Sequence, residues 1–160
     1  MDADRPGARR VTVIRYDDLP EPGMLTALTY GLSLAEHPEW RLGRPELCIS
    51  VRSQDPCWGY AIGHLATQMS GECAFCYGDT LNFNERISEE SAMTAFVVFA
   101  PAVLDRADFT GIDVGDRLPI NIAGMYPIHD RERLWIREQG LEAFWQLEWD
   151  PYDVTRQPAV

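Results

Sequence analysis

The stretch PELCISVRSQDPCWGYAIGHLATQM, residues 45–69, changes its hydrophobic period halfway along and so decides the fold class. Within 45–52, Leu47, Ile49 and Val51 share one face while Glu46, Cys48, Ser50 and Arg52 share the other, the period-two alternation of a strand with one side to a core. Beyond Asp55 and Pro56 the spacing lengthens. Trp58, Ile62, Leu65 and Met69 recur at intervals of four, three and four, which lines one side of a helix. Asp55 suits the cap of that helix, Pro56 its first turn and Gly71 its end.

Working outward, residues 11–16 are β-branched and aromatic and end in the turn chemistry of 17–23, so they read as a strand and a loop. Residues 24–32 read as a second strand, next to an edge. Residues 93–100 are apolar on both faces, as expected of a central strand covered on both sides. Residues 118–125 resume a strand after a connection rich in Asp and Gly. The chain then turns helical: Asp130 stands where a cap is expected, Leu134, Trp135 and Ile136 supply apolar surface, and Gly140 separates this helix from 141–149. Residues 72–84 read as a loop. The alternation lacks regular βαβ units, so the fold class is α+β: a single domain with a mixed or antiparallel sheet and helices packed on it. The domain is placed at 10–152, with flexible termini at 1–9 and 153–160.

Composition bounds the function. The chain has 160 residues, 46% of them hydrophobic and 24% charged, the balance of one folded domain. The formal net charge is −11, and every basic residue other than histidine is an arginine. Basic residues are scattered among carboxylates with no stripe to follow phosphates, so neither nucleic acid nor an anionic membrane is an expected partner. An acidic surface suits a basic protein. No stretch approaches the roughly 18 apolar residues of a membrane span, and no apolar secretion signal opens the chain. A cytoplasmic protein with reduced thiols is expected.

Catalytic constellations are missing. The three histidines, His37, His64 and His129, have no serine, cysteine or carboxylate arrangement that spells a nucleophile motif, and no phosphate-binding glycine loop occurs. Acidic pairs such as Glu89-Glu90 lack calcium-loop spacing. No enzyme activity and no cofactor are expected. Cys73 and Cys76, three positions apart, have the spacing of a metal chelate or redox pair, but a structural zinc site wants four ligands and the pair does not open a helix. The rival reading is a small metal-binding or thiol enzyme built on Cys73 and Cys76, completed by Cys57 and His64. Trp135, Trp145 and Trp149 crowd the last helices, so a homo-oligomer subunit joined through that aromatic region is a third reading.

The run Leu28-Thr29-Tyr30-Gly31-Leu32-Ser33, with Arg44-Pro45-Glu46-Leu47 further along, resembles the opening signature of suppressor of fused-like domains: a Thr-x-Gly-(Met or Leu)-Ser segment before an Arg-x-Glu-Leu strand. Gly78-Asp79-Thr80-Leu81 is similar to the family's Gly-Asp loop after the first helix, and Tyr126-Pro127-Ile128 followed by Glu132 to its segment before the terminal helices. The four pieces keep the family's order. The resemblance implies a sandwich-like α+β domain that binds a protein without catalysing a reaction. Eukaryotic members hold a transcription factor and carry a further C-terminal domain with no counterpart in this sequence, whereas stand-alone bacterial members are associated with immunity to toxins. It therefore implies an immunity protein that captures and neutralises a toxin, such as a basic nuclease. Thr29, Gly31, Ser33, Arg44, Glu46, Gly78 and Asp79 are expected to serve the fold, through buried polar networks and special backbone angles. The expected partner contacts are Tyr126, His129, Glu132 and Trp135, together with an exposed strand edge.

Overall fold

The computed structural model describes residues 10–160; the expected flexible segment 1–9 lies outside the described residues. In chain order the elements are β1 (Thr12–Asp17), β2 (Leu25–Tyr30), a 3-10 turn (Leu32–Leu34), β3 (Arg44–Val51), α1 (Cys57–Gln68), β4 (Thr80–Asn82), β5 (Ala95–Phe99), α2 (Arg106–Phe109), β6 (Ile120–Ile128), α3 (Asp130–Gln139) and α4 (Leu141–Trp145). The six strands form one sheet in the order β1-β2-β3-β6-β5-β4. Only β3 and β6 run parallel; the other neighbours are antiparallel. The fold is thus the mixed-sheet α+β domain expected, with β2 next to the edge strand β1.

Side chains of a strand alternate between faces, and the two faces of this sheet collect two cores. On one side Leu47, Ile49 and Val51 of β3 meet Phe96 and Val98 of β5 under Trp58, Ile62 and Leu65 of α1. On the other, Ala95 and Val97 of β5 join Tyr126 and Ile128 beneath Ile136 of α3 and Phe144 of α4. That is why residues 95–98 are apolar on both faces, although β5 lies second from an edge and the middle of the sheet belongs to β3 and β6.

Helix α1 lies close against the β1 end of the sheet because two of its residues are glycine. A Cβ on Gly63 would stand 2.3 Å from a methyl of Val13, and one on Gly59 3.1 Å from the Ala27 Cβ. The helix also pins the start of β1: Thr67 Oγ1 donates to Gly63 O and accepts the Val11 N–H. Asp55 does the capping, its Oδ1 accepting the Cys57 N–H at 2.9 Å.

Several short elements differ from the sequence reading. Strand β4 falls in the segment read as a loop, and α2 and the 3-10 turn lie in connections. Each has three or four residues, too few to show a period, and β4 exists through its pairing to β5. Glu46, Cys48 and Ser50, on the face of β3 opposite Leu47, Ile49 and Val51, are buried as well. The passage 101–103 and Tyr152 cover that face, and Tyr126 ties the passage down by donating to Ala100 O and accepting the Ala102 N–H. His129, not Asp130, is the cap of α3, in a capping box with Glu132.

The segment 153–160, expected to be a flexible end, lies docked against the domain. Val154 is buried, Arg156 forms an ion pair with the fully buried Glu132, and Ala159 N–H donates to the same carboxylate at 2.8 Å. A carboxylate out of water needs donors, and the tail delivers them to Glu132 along with the His129 N–H. The sequence carried no sign of this docking, because it rests on contacts with residues distant in sequence and not on a periodic apolar face.

Burial pushes the Glu132 carboxyl up, but the Arg156 guanidinium and the Ala159 and His129 N–H groups outweigh it and hold it below the usual range. A carboxyl lowered on folding stabilises the native state above its unfolded value of roughly 4.3 and loses that contribution as pH falls through the folded value. Arg156→Ala is expected to cost about 3 kcal/mol at neutral pH, as breaking a buried pair does. It should also flatten the decline of stability below about pH 4.3. Urea unfolding of both proteins from pH 7 to pH 3 checks both outcomes.

Candidate functional site

The residues of the opening signature meet at one buried carboxylate. Where β2 ends, Thr29 Oγ1 donates to Glu46 Oε2 at 2.6 Å, and the N–H groups of Gly31 and Ser33 donate to Oε1 at 2.8 and 2.9 Å. The same Thr29 hydroxyl accepts the Leu47 N–H at 2.7 Å. The β2–β3 register runs as far as Leu28 opposite Cys48, so this side chain takes over where the backbone ladder stops. Gly31 turns the chain there at φ 117°, a conformation closed to most side chains, and Arg44 donates to Ser33 O at 3.4 Å. Thr29, Gly31, Ser33, Arg44 and Glu46 therefore form one network that holds the exit of β2. Gly78 and Asp79 act elsewhere: the Gly78 N–H donates to Val98 O, the Asp79 carbonyl accepts from Val98, and the Asp79 carboxylate accepts the Cys76 N–H at 2.9 Å.

The expected contact residues lie mostly inside. Tyr126 is buried with its hydroxyl engaged by the 100–102 backbone, Glu132 is fully buried in its ion pair, and His129 is buried with Nε2 3.0 Å from Arg156 O. Trp135 is half-buried, its ring 6.2 Å from that of Phe144. Of these four expected contacts, three are thus buried side chains and only Trp135 keeps partial exposure.

The cysteines are all free and do not converge. Burial pushes the Cys73 thiol up to about 11, and Asp79, 3.9 Å from its sulfur, adds to the rise. Cys76 is raised by burial and then by Asp79, and Cys57 by its hydrogen bond to Asp55. Such thiols stay protonated near neutral pH, whereas metal binding and nucleophilic attack need the thiolate. Cys57 and His64 line a separate cavity of about 430 Å3 with Tyr60 and Phe83. Among the described residues no three histidine, cysteine or carboxylate groups gather as metal ligands do.

The open end of the sheet presents what the signature residues do not. Among the described residues strand β1 pairs only with β2, and five of its six residues are exposed. Val13 faces α1 through Gly63, so Thr12, Ile14 and Tyr16 lie on the opposite face. The register sets them beside Tyr30, Leu28 and Thr26 of β2. Ile14 is 43% exposed, Tyr16 41% and Tyr30 67%, which makes an apolar, aromatic ledge along a free strand. At the edge itself Arg15 and Asp17 pair with each other at 3.1 Å. The sequence reading foresaw a free edge, but the face it adjoins needed the helix position to be seen.

The profile described as Suppressor of fused protein (SUFU) matches residues 7–157 of the chain. No curated protein matches it by sequence. Among solved structures, the fold is similar to that of a protein described as a suppressor of fused homolog from Neisseria gonorrhoeae, with TM-score 0.69 and 16% identity over 94% of this chain and 87% of that one. It is also similar to a chain of the Sufu–Fu complex, with TM-score 0.67 and 13% identity over 93% of this chain and 76% of that one. Drosophila Suppressor of Fused matches with TM-score 0.64 and 12% identity over 93% of this chain, which spans 42% of that protein.

The Thr29 hydroxyl bridges two interior groups, so its removal strands both the Leu47 N–H and one Glu46 oxygen. Thr29→Val, nearly the same shape, is expected to cost about 2 kcal/mol, and Thr29→Ser less than about 1 kcal/mol. Denaturant midpoints of the three proteins at pH 7 check the order.

Proposed function

Since the chain belongs to the suppressor of fused family, we propose that it acts by holding a protein partner and not by catalysing a reaction. The observation that carries this reading is the ledge on β1 and β2. A free strand offers unpaired backbone donors and acceptors to an extended segment, and the neighbouring Ile14, Tyr16 and Tyr30 supply the large apolar side chains that anchor interfaces. The Arg15–Asp17 pair on the same edge discourages unselective strand pairing, as charges on edge strands do. A chain in the similar Sufu–Fu structure is part of a protein complex, in keeping with this reading.

The partner is a basic protein and the biological role is immunity: a cytoplasmic protein that captures and neutralises a toxin, such as a nuclease. Net charge of −11 supports this, because an acidic surface speeds encounter with a basic partner and disfavours acidic ones. No helix among the described residues is long and apolar enough to cross a membrane.

Affinity capture from the source cell's lysate, run in parallel with the wild-type chain and with Tyr16→Ala/Tyr30→Ala, tests the reading. The expected result is one basic protein retained at low salt, weakened by moderate salt, and held about tenfold less well by the variant. Equal retention by both chains removes the ledge as the contact surface, and no retained protein removes the binding reading. Immunity is checked by expressing the captured protein with and without this chain, growth returning only with it.

A further inference from the structure

All fourteen cationic side chains other than histidine are arginines, and among the described residues four are matched to carboxylates: Arg15 with Asp17, Arg52 with Asp150, Arg133 with Asp130 and Arg156 with Glu132. Three unmatched ones converge. Arg41, Arg44 and Arg117 line a cavity of about 510 Å3 between the chain that follows the 3-10 turn and the approach to β6. Among the described residues none of the three guanidiniums has a carboxylate oxygen within 4.0 Å, and only that of Arg44 makes a hydrogen bond, to Ser33 O at 3.4 Å. Glu36 is the one carboxylate in the wall.

The remaining polar groups of the cavity are already occupied. Trp40 Nε1 donates to Ala74 O at 2.9 Å, His37 Nδ1 accepts the Glu39 N–H at 3.2 Å, and His37 Nε2 lies 3.4 Å from Glu72 O. Their rings, 5.7 Å apart, give an aromatic wall, and the free donors are the guanidiniums. Three like charges around one hollow repel one another, and an anion seated among them reverses the sign of that interaction. A guanidinium presents its N–H groups in a planar fork that fits phosphate and carboxylate oxygens two at a time. The negative charge of the whole chain opposes an anion only weakly here, since solvent-exposed charges beyond about 8 Å are screened at physiological salt. The volume lies in the range of small-molecule sites.

We propose that this cavity binds a small multivalent oxyanion, phosphoryl or polycarboxylate, held by Arg41, Arg44 and Arg117. This site is separate in composition from the β1–β2 ledge and stands whether or not the ledge binds a protein.

The test is calorimetric titration of the full chain with inorganic pyrophosphate and with citrate at pH 7.5, ionic strength held constant with chloride. Saturable one-to-one binding of at least one anion is expected, weakened at least tenfold in Arg41→Ala and in Arg117→Ala. Neither side chain makes a hydrogen bond within the described chain, so both variants should keep the wild-type thermal midpoint, and Arg117→Glu should abolish binding. Preference for pyrophosphate assigns the site to phosphoryl ligands and preference for citrate to carboxylates. The proposal falls if neither anion gives saturable heat at millimolar concentration, or if the three variants bind as the wild type does.

Discussion

A carboxylate removed from water must be met by donors, and the position of Glu46 is where that demand shapes this protein. Strands β2 and β3 could continue as a plain ladder. Instead the Thr29 hydroxyl steps between them, and the Gly31 and Ser33 N–H groups turn inward to the same carboxylate. The chain leaves the sheet at a fixed place and angle as a result, and Ser33 is set where Arg44 can reach its carbonyl. Glu132 repeats the solution at the other core. There the donors come from its own helix cap and from the last residues of the chain, so a segment with no apolar period is drawn against the domain.

The two faces of the sheet are covered unequally, and the exposed ledge is a product of that inequality. Over β3, β6 and β5, α1 lies on one face while α3, α4 and the 101–103 passage lie on the other. Over β1 and β2, among the described residues, only the α1 side is filled. Gly59 and Gly63 let the helix come close enough to hold β1 without help from the opposite face. An edge strand secured from one side can leave its other side and its free edge to solvent, and apolar groups such as Ile14 and Tyr30 can stand there without the strand coming loose.

Most of the architecture was legible because periodic burial leaves a periodic mark. Strand β3 and helix α1 followed from Leu47-x-Ile49-x-Val51 and from Trp58, Ile62 and Leu65, and β5 from its two-sided apolar run. Legibility failed where interior positions are polar. His129 and Glu132 have the side chains of surface residues, and their contacts with Arg156 and Ala159, distant in sequence, show that they are buried. Tyr126 is likewise interior, its hydroxyl being committed to the backbone near Ala100 and Ala102. The Arg156–Glu132 pair spans 24 positions, beyond any local pattern. The arginine cavity was equally hidden, since Arg117 joins Arg41 and Arg44 only after the chain has crossed the sheet.

Charge, finally, is distributed by position and not by total. A net of −11 describes the long-range field, which governs encounter with large partners over distances comparable to the screening length. What a site recognises at contact depends on which groups lack a partner there. Around Arg52, Arg133 and Arg156 each cation has its carboxylate, so those positions present little net field at short range. Around Arg41, Arg44 and Arg117 the cations outnumber Glu36 three to one. An acidic protein can therefore attract a basic macromolecule through its overall field and still hold a small anion in one hollow, because the two interactions are decided at different distances.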